Sequence, residues 1–342
     1  MYTHIIRPLL FLLKPETIHG LTVNLIKFFF AIPGIKQVTK AAYSCSHPKL
    51  TRNVFGIEFK NPVGLAAGFD KNAELYNHFD AFGFSFIEIG TVTPKAQPGN
   101  PKPRSFRLKA DKALINRMGF NNKGVINAKE MLENKPRNVI IGGNIGKNTA
   151  TPNADAVADY LVCFKELYSV VDYFVVNVSC PNIKDLKDLQ DTDNLKSILS
   201  ALTDHRKQQE ARKPILLKIS PDLTDAMLDS NISIAKEMGL DGFVATNTTT
   251  SREGLYTPKN VVEAIGNGGL SGLPIRDRST EIIRYVHNKT NGEIPIIGVG
   301  GIMTEKDALE KIAAGASLIQ LYTGFIYRGP ALAKRICKAL VK

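Results

Sequence analysis

The chain is poor in cysteine, in acidic charge and in long apolar runs, and each shortage removes a class of protein. Four cysteines, Cys45, Cys163, Cys180 and Cys337, stand far apart with no Cys-x-x-Cys pair. That spacing gives no support to a zinc or iron–sulfur site, and no metal is expected. The first residues do not run basic, then apolar, then small, so no secretory signal is read there. A reducing compartment without disulfides is the expectation. The longest apolar runs, Leu9–Leu13 and Phe28–Ile32, fall far short of the roughly 20 residues a membrane-spanning helix needs. Low-complexity segments and short-period repeats are also absent.

Acidic residues number 32 against 44 lysines and arginines, which leaves a net charge of +12. Such an excess suits nucleic acid, an anionic membrane surface or an anionic ligand. No basic run is interleaved with aromatics and no helix-turn-helix spacing is present, so nucleic acid has the least support. At 44% hydrophobic and 22% charged, the chain has the make-up of a folded globular protein. Its 342 residues are long for an ordinary domain but within reach of one (β/α)₈ barrel.

Residues 1–46 differ from the rest. Ile5, Ile6, Leu9, Leu10, Leu12 and Leu13 recur at helical spacing, and Pro15 stops that helix. A second helix starts at Glu16 or Thr17, carries Ile18, Leu21, Leu25, Ile26, Phe29 and Phe30, and ends at Pro33-Gly34. Arg7, Lys14, Lys27, Lys36 and Lys40 surround this greasy helical hairpin. It suits packing on a core, lying on a membrane, or both. Residues 47–60 read as a short β-hairpin leading into a second domain over 47–342.

From residue 61, short apolar runs alternate with helical patterns. Eight are found: Val63–Ala66, Phe86–Ile89, Val139–Gly143, Tyr173–Val176, Ile215–Ile219, Gly242–Thr246, Ile296–Gly300 and Leu318–Leu321. Near-continuous apolar runs are the mark of parallel strands covered on both faces. Eight of them alternating with helices predict an α/β (β/α)₈ barrel. Long Pro/Gly-rich loops, Pro94–Pro103 and Thr257–Pro274, follow the second and sixth strands and are placed to build a binding face.

A barrel carries its reactive groups at the C-terminal ends of its strands. Gly298-Val-Gly-Gly301 and, one strand later, Gly324 fit a phosphate-binding turn, where backbone N–H groups face an anion. Tight turns alone would also demand glycine. Asn116, Asn121, Asn144, Asn177, Asn182 and Asn247 crowd the strand ends. Side-chain amides both donate and accept, which suits a planar ring of alternating C=O and N–H groups. Lys71 and Lys218 are placed to hold an anion or to stabilise charge on a reduced ring. Cys180 stands just past the fourth strand with no histidine near it in sequence. Taken alone, it suits an inert buried thiol as well as a nucleophile or base.

These motifs together resemble one family. Asn61-Pro-Val-Gly-Leu-Ala-Ala-Gly-Phe-Asp-Lys71, Gly90-Thr-Val-Thr-Pro94, Pro98-Gly-Asn-Pro-Lys-Pro-Arg104, Ile115-Asn-Arg-Met-Gly-Phe-Asn-Asn122 and Gly298-Val-Gly-Gly-Ile302 are similar to dihydroorotate dehydrogenase. The likeness spans essentially the whole chain. The hairpin, with Pro15-Glu-Thr-Ile-His19, resembles the class that reduces membrane quinones.

The resemblance implies FMN as cofactor. Its contacts would be Ala67, Gly68, Phe69, Asp70 and Lys71 after the first strand, then Thr91, Asn144, Asn177 and Lys218. Thr246, Gly272, Gly301, Tyr322 and Thr323 would complete them. Dihydroorotate would lie against Lys71, Asn116, Arg117, Met118, Gly119, Phe120, Asn177, Asn182, Asn247 and Thr248. Quinone would enter near His19, Arg107 and Tyr322. Cys180 would be the base that takes a proton from C5 while C6 gives hydride to the flavin. Implied partners are dihydroorotate and orotate, a membrane quinone and the membrane surface at its cytoplasmic face. Neither nucleic acid nor an obligate protein partner is implied.

One departure bears on subclass. The quinone-reducing class carries serine at the base position and threonine three residues on, where this chain has Cys180 and Ile183. Those two resemble the soluble, fumarate-using class; the hairpin and Leu186-Lys-Asp-Leu-Gln190 resemble the quinone class. A thiol, with an ordinary pKa near 8.5, serves as a base without the proton relay a hydroxyl needs. A loop over 181–194, directly after the base, is placed to act as a lid. A non-redox barrel that binds a phosphorylated ligand and a non-catalytic membrane binder are the competing readings. The yellow colour of bound flavin separates the first of these from a flavoenzyme.

Overall fold

The computed structural model describes residues 2–134, 138–178 and 192–342. It opens with three short helical pieces rather than the expected pair. A π-helical turn, Tyr2–Ile6, runs into α1 (Arg7–Leu10), and α2 (Pro15–Phe30) starts on the proline. Pro15 at the first helical position loses no bond, because that N–H has no intrahelical partner. After the Pro33-Gly34 corner a third helix forms, α3 (Ile35–Tyr43), meeting α2 at a 114° bend. Helical residues thus lie on both sides of Pro15, as expected, and α3 is a further helix beyond Pro33-Gly34. Lys36 and Lys40 on one side of α3 both reach Asp80, which ties this helix to the barrel. No single helix among the described residues is long and apolar enough to cross a membrane.

Next come β1 (Arg52–Val54) and β2 (Ile57–Phe59), the expected hairpin, paired antiparallel with Arg52 opposite Phe59. They close the N-terminal end of the barrel. The Phe59 ring lies 5.2 Å from Phe86, and Phe55 lies 6.4 Å from Tyr173. A Cβ on Gly242 would meet Phe55 at 2.5 Å, so the plug and the strand end fit only with glycine there.

The first half of the barrel contains β3 (Val63–Leu65), α4 (Tyr76–Phe79) and β4 (Phe86–Val92). After an excursion of two strands, β5 (Ser105–Leu108) and β6 (Ala113–Asn116), the chain continues through α5 (Val125–Glu133) and β7 (Ile140–Ile145). It then forms α6 (Ala156–Leu167), β8 (Tyr173–Asn177), α7 (Thr192–Lys207) and β9 (Ile215–Ile219). The second half holds α8 (Asp225–Glu237), β10 (Gly242–Ala245), α9 (Lys259–Ile265) and a further excursion strand, β11 (Gly269–Gly272). It ends with α10 (Arg276–Lys289), β12 (Ile296–Val299), α11 (Glu305–Ala313), β13 (Leu318–Leu321), α12 (Thr323–Arg328) and α13 (Ala331–Leu340).

Strands β3, β4, β7, β8, β9, β10, β12 and β13 close an eight-stranded parallel barrel in chain order. These are the eight predicted runs, β4 reaching three residues further, to Val92. Their outward side chains pack under the helices into one continuous apolar core, and a smaller cluster around Phe59, Phe86 and Tyr173 fills the N-terminal end. The stretch after the first Pro/Gly-rich loop carries β5 and β6, and the second loop carries β11. β5, β6 and β11 form a separate antiparallel sheet, with Gly269 opposite Asn116. β11 and β6 stand about 150 residues apart, so no local pattern shows that they pair.

Candidate active site

The C-terminal ends of the strands surround a cavity of about 1020 Å³, counting the part open to solvent. Ala66, Ala67, Gly68 and Lys71 follow β3, and Thr91 lies on β4. Asn177 ends β8, Lys218 lies on β9, and Thr246, Asn247 and Thr248 follow β10. The excursion sheet forms one side, through Asn116, Met118, Gly119, Phe120, Ser271 and Gly272. Gly300, Gly301, Tyr322, Thr323 and Gly324 form the end after β12 and β13.

The glycine end has little freedom. Gly301 has φ +71°, and a Cβ there would lie 2.3 Å from the Arg276 Cα. The backbone of the β12 turn therefore packs directly against the start of α10. A Cβ on Gly324 would lie 1.9 Å from the Ile302 carbonyl oxygen. Close-packed turns of this kind leave backbone as the only surface they can offer an anion. At the same end, the hydroxyls of Ser271 and Thr323 are 2.8 Å apart.

The opposite end is a polar floor. Glu88, in the middle of β4, is fully buried in the barrel. Its carboxylate accepts from Asn144 Nδ2 at 2.7 Å, Gln320 Nε2 at 2.7 Å and Lys218 Nζ at 3.3 Å. Asn144 Oδ1 accepts from the Thr91 hydroxyl at 2.5 Å, and Asn177 Nδ2 donates to Thr91 Oγ1 at 2.9 Å. Asn247 Nδ2 donates to Asn177 Oδ1 at 3.3 Å. Thr246 Oγ1, also on the cavity, is buried and has no hydrogen-bond partner among the described residues. An orphaned hydroxyl beside a polar floor marks a place where a polar ligand group would restore a lost bond. Glycine turns at one end and amides, a lysine and an unmet hydroxyl at the other fit a planar heterocycle carrying a phosphate.

Several residues named from the sequence lie outside the cavity lining. Asn144 is one layer beneath it, holding Thr91 and Asn177. The Asp70 carboxylate accepts from the Glu74 and Leu75 N–H groups at 2.8 Å each, and burial pushes it up to about 6. It shapes the turn that follows Gly68. Arg117 donates to the carbonyls of Ile265, Asn267 and Pro103, stapling the excursion sheet to its loop. Phe69 lies behind Tyr322. Cys180, Asn182, Ile183 and the lid segment up to residue 191 lie outside the described residues. Conversely, Gln320, Ser271 and Glu88 were not singled out from the sequence. Glu88, Lys218 and Gln320 each break an otherwise apolar strand, Phe-Ile-Glu-Ile, Leu-Leu-Lys-Ile and Leu-Ile-Gln-Leu, and that interruption was the available signal.

An aromatic wall leads from the cavity to the N-terminal helices. The Tyr322 ring is 5.6 Å from Phe69, and Phe69 is 5.1 Å edge-on from the His19 ring of α2. Burial lifts the Tyr322 phenol to about 12. Burial, reinforced by the Lys71 charge, lowers His19 to about 4, so its imidazole is neutral at physiological pH. Arg107 stands over the Phe11 ring at 4.4 Å and donates to the Leu13 carbonyl at 2.6 Å. Ion pairs hold the helices to the barrel: Glu16–Arg104 at 2.7 Å, Lys27–Glu74 at 2.5 Å and Lys36–Asp80 at 2.9 Å. Their outer face is apolar and open, with Leu12 79%, Val38 70% and Phe28 65% exposed. Exposed large apolar side chains gathered in one short segment suit a docking face.

The family model for dihydroorotate dehydrogenase matches residues 49–342. A dihydroorotate dehydrogenase (quinone) of Christiangramia forsetii is 55% identical, over 100% of this chain and 99% of the relative. One from Thermosynechococcus vestitus is 46% identical over 99% of this chain and 96% of its own. Among solved structures, the ligand-free enzyme of Eimeria tenella superposes with a TM-score of 0.86 at 39% identity, covering 95% of this chain and 94% of the other. The same organism's complex with ferulenol gives a TM-score of 0.85 at 38% identity, covering 96% and 90%.

Proposed function

This chain belongs to the dihydroorotate dehydrogenase family, and we propose that it oxidises dihydroorotate to orotate in pyrimidine biosynthesis and delivers the electrons to a membrane quinone. One observation carries the reading. A single cavity joins phosphate-type turns and an amide–lysine floor, and its Tyr322–Phe69 wall runs to the exposed apolar helices. The quinone-dependent relatives match over essentially their full length, including residues 1–46. That favours quinone over fumarate, although Cys180 and Ile183 resemble the fumarate class.

FMN is the cofactor the cavity fits, and when bound it accepts two electrons from the substrate and releases them to quinone. Gly301, Thr323 and Gly272 would hold its phosphate end; Ala67, Gly68, Thr91, Asn177, Lys218 and Thr246 would hold the ring. Lys71, Asn116, Asn247 and Thr248 would hold the substrate, whose alternating C=O and N–H groups need both donors and acceptors. Asn177 and Asn247, locked to each other, present those groups in a set orientation. Cys180 would take the C5 proton, leaving the C6 hydride to depart and the C5–C6 double bond to form. Lys218 would stabilise the negative charge that arrives with that hydride. Residues 1–46 would form the quinone and membrane module, lying on the cytoplasmic face of the bilayer through Leu12, Phe28 and Val38, with basic residues flanking them.

The test uses the purified full-length chain. It should be yellow, and anaerobic dihydroorotate should bleach it. Decylubiquinone should then sustain turnover and fumarate should not. A colourless protein with no dihydroorotate oxidation would sink the reading, and turnover on fumarate alone would reassign the acceptor. Cys180→Ala should retain the colour but lose the bleaching.

A further inference from the structure

We propose that Glu88 is a positioning residue: from inside the barrel its carboxylate fixes the Lys218 ammonium and the donor–acceptor order of the cavity-floor amides, and so sets the electron affinity of the bound flavin. The proposal rests on the flavin reading above.

All seven residues of β4 are buried, and Glu88 is the one charge among them. Opposite it on β7 stands Gly142, whose missing side chain leaves room for the Tyr173 ring. A carboxylate in such a place costs several kcal/mol unless it is paired and fully hydrogen-bonded. Both oxygens are bonded here: Asn144 and Lys218 share Oε1, and Gln320 takes Oε2. Apolar replacements of a buried ion pair are often neutral or better, so stability alone does not account for a charge here.

What the carboxylate does supply is direction. An ionised carboxylate only accepts. Asn144 must therefore turn its NH₂ toward Glu88 and its Oδ1 toward Thr91 and Asn177. Asn177 then spends its NH₂ on Thr91 and Asn144, which leaves its Oδ1 for Asn247. The order imposed at Glu88 thus passes through two hidden bonds to amides that line the cavity. Gln320 likewise gives its NH₂ to Glu88. Lys218, only 7% exposed, is held against the floor by the same anion, which offsets part of its positive field.

The experiment compares FMN-reconstituted wild type with Glu88→Gln, Lys218→Met and the double variant Glu88→Gln/Lys218→Met. FMN affinity and flavin midpoint potential are both measured. Glu88→Gln removes an anion and frees the Lys218 field, so the potential should become more positive. The expected shift is at least tenfold in the two-electron equilibrium, about 30 mV. FMN should still bind, and the two single-variant shifts should not add in the double variant. An unchanged potential in Glu88→Gln, with only thermal stability reduced, would overturn the proposal and leave the flavin reading intact. Wild type that binds no FMN would overturn that reading itself. Should Glu88→Gln not fold, the double variant leaves no unpaired buried charge. A potential equal to that of Lys218→Met would then support the proposal, because the carboxylate acts through Lys218, and a clearly more positive one would overturn it.

Discussion

Replacing Glu16 by alanine should loosen α2 and impair quinone reduction without touching the oxidation of dihydroorotate. Glu16 sits in the first turn of α2 and meets Arg104 through three close contacts, at 2.7, 3.2 and 3.3 Å. Arg104 is 5% exposed and also donates to the carbonyls of Pro98 and Asn100, so it cannot follow the helix outward. Removing one member of a buried ion pair costs about 3–5 kcal/mol. Here the Glu16 side chain is 26% exposed and Arg104 keeps two carbonyl partners, which reduces the expected cost to about 2 kcal/mol. That corresponds to roughly a 30-fold rise in the opening of α2. Amide hydrogen exchange across residues 18–30 reads the opening directly. Quinone KM should rise in parallel, while anaerobic flavin reduction by dihydroorotate should change by less than about twofold. Unchanged protection in α2, or equal losses in both half-reactions, would refute the reasoning. The pair also has a pH signature. Burial works to raise the Glu16 carboxyl, but the bond and charge of Arg104, with Lys102, hold it below its ordinary value. Its contribution is therefore complete above the unfolded pKa of about 4.3 and is lost as pH falls below it. Wild type should approach the Glu16→Ala exchange pattern only in that acidic window.

Two further outcomes follow from the surface and the core. Leu12→Ser/Phe28→Ser should abolish most binding to anionic vesicles, since two side chains of this size contribute about 3 kcal/mol when buried in lipid. Both are exposed in the fold, so thermal melting should not move; unchanged vesicle flotation would count against a membrane-facing α2. Lys311 is fully buried, donates to the Arg276 carbonyl and the Thr280 hydroxyl, and is lowered by burial to about 7. An unfolded lysine titrates near 10.4, so the unfolded chain binds more protons between about pH 7 and 10 and stability rises with pH there. Between pH 7 and 9 the gain is on the order of 2 kcal/mol. Urea unfolding of Lys311→Met at the two pH values should lack that rise, and equal slopes in both proteins would contradict it.

The barrel was legible in the sequence because strands buried on both faces must be apolar throughout, and each run is separated from the next by a helical period. That pattern is local, so all eight strands could be read in order. The cavity residues were legible for a related reason: chain order places the C-terminal end of every strand at one face, so Lys71, Thr91, Asn177, Lys218, Asn247 and Gly301 converge wherever the barrel closes. The N-terminal helices were only partly legible. Apolar spacing marked α2; α3 is short, with only Ile35, Val38 and Ala42 at helical spacing, and is held by Asp80 reaching Lys36 and Lys40.

What the sequence by itself determined is the periodic part of this protein: the barrel, its reactive face and the greasy character of residues 1–46. Only the tertiary structure decided which polar groups meet. The excursion sheet pairs Asn116 with Gly269, and Glu88 gathers Asn144, Lys218 and Gln320 from three other strands. Such contacts join residues tens to hundreds of positions apart. Their partners are chosen by where the closed barrel brings the side chains, and no window of sequence contains both ends of the bond.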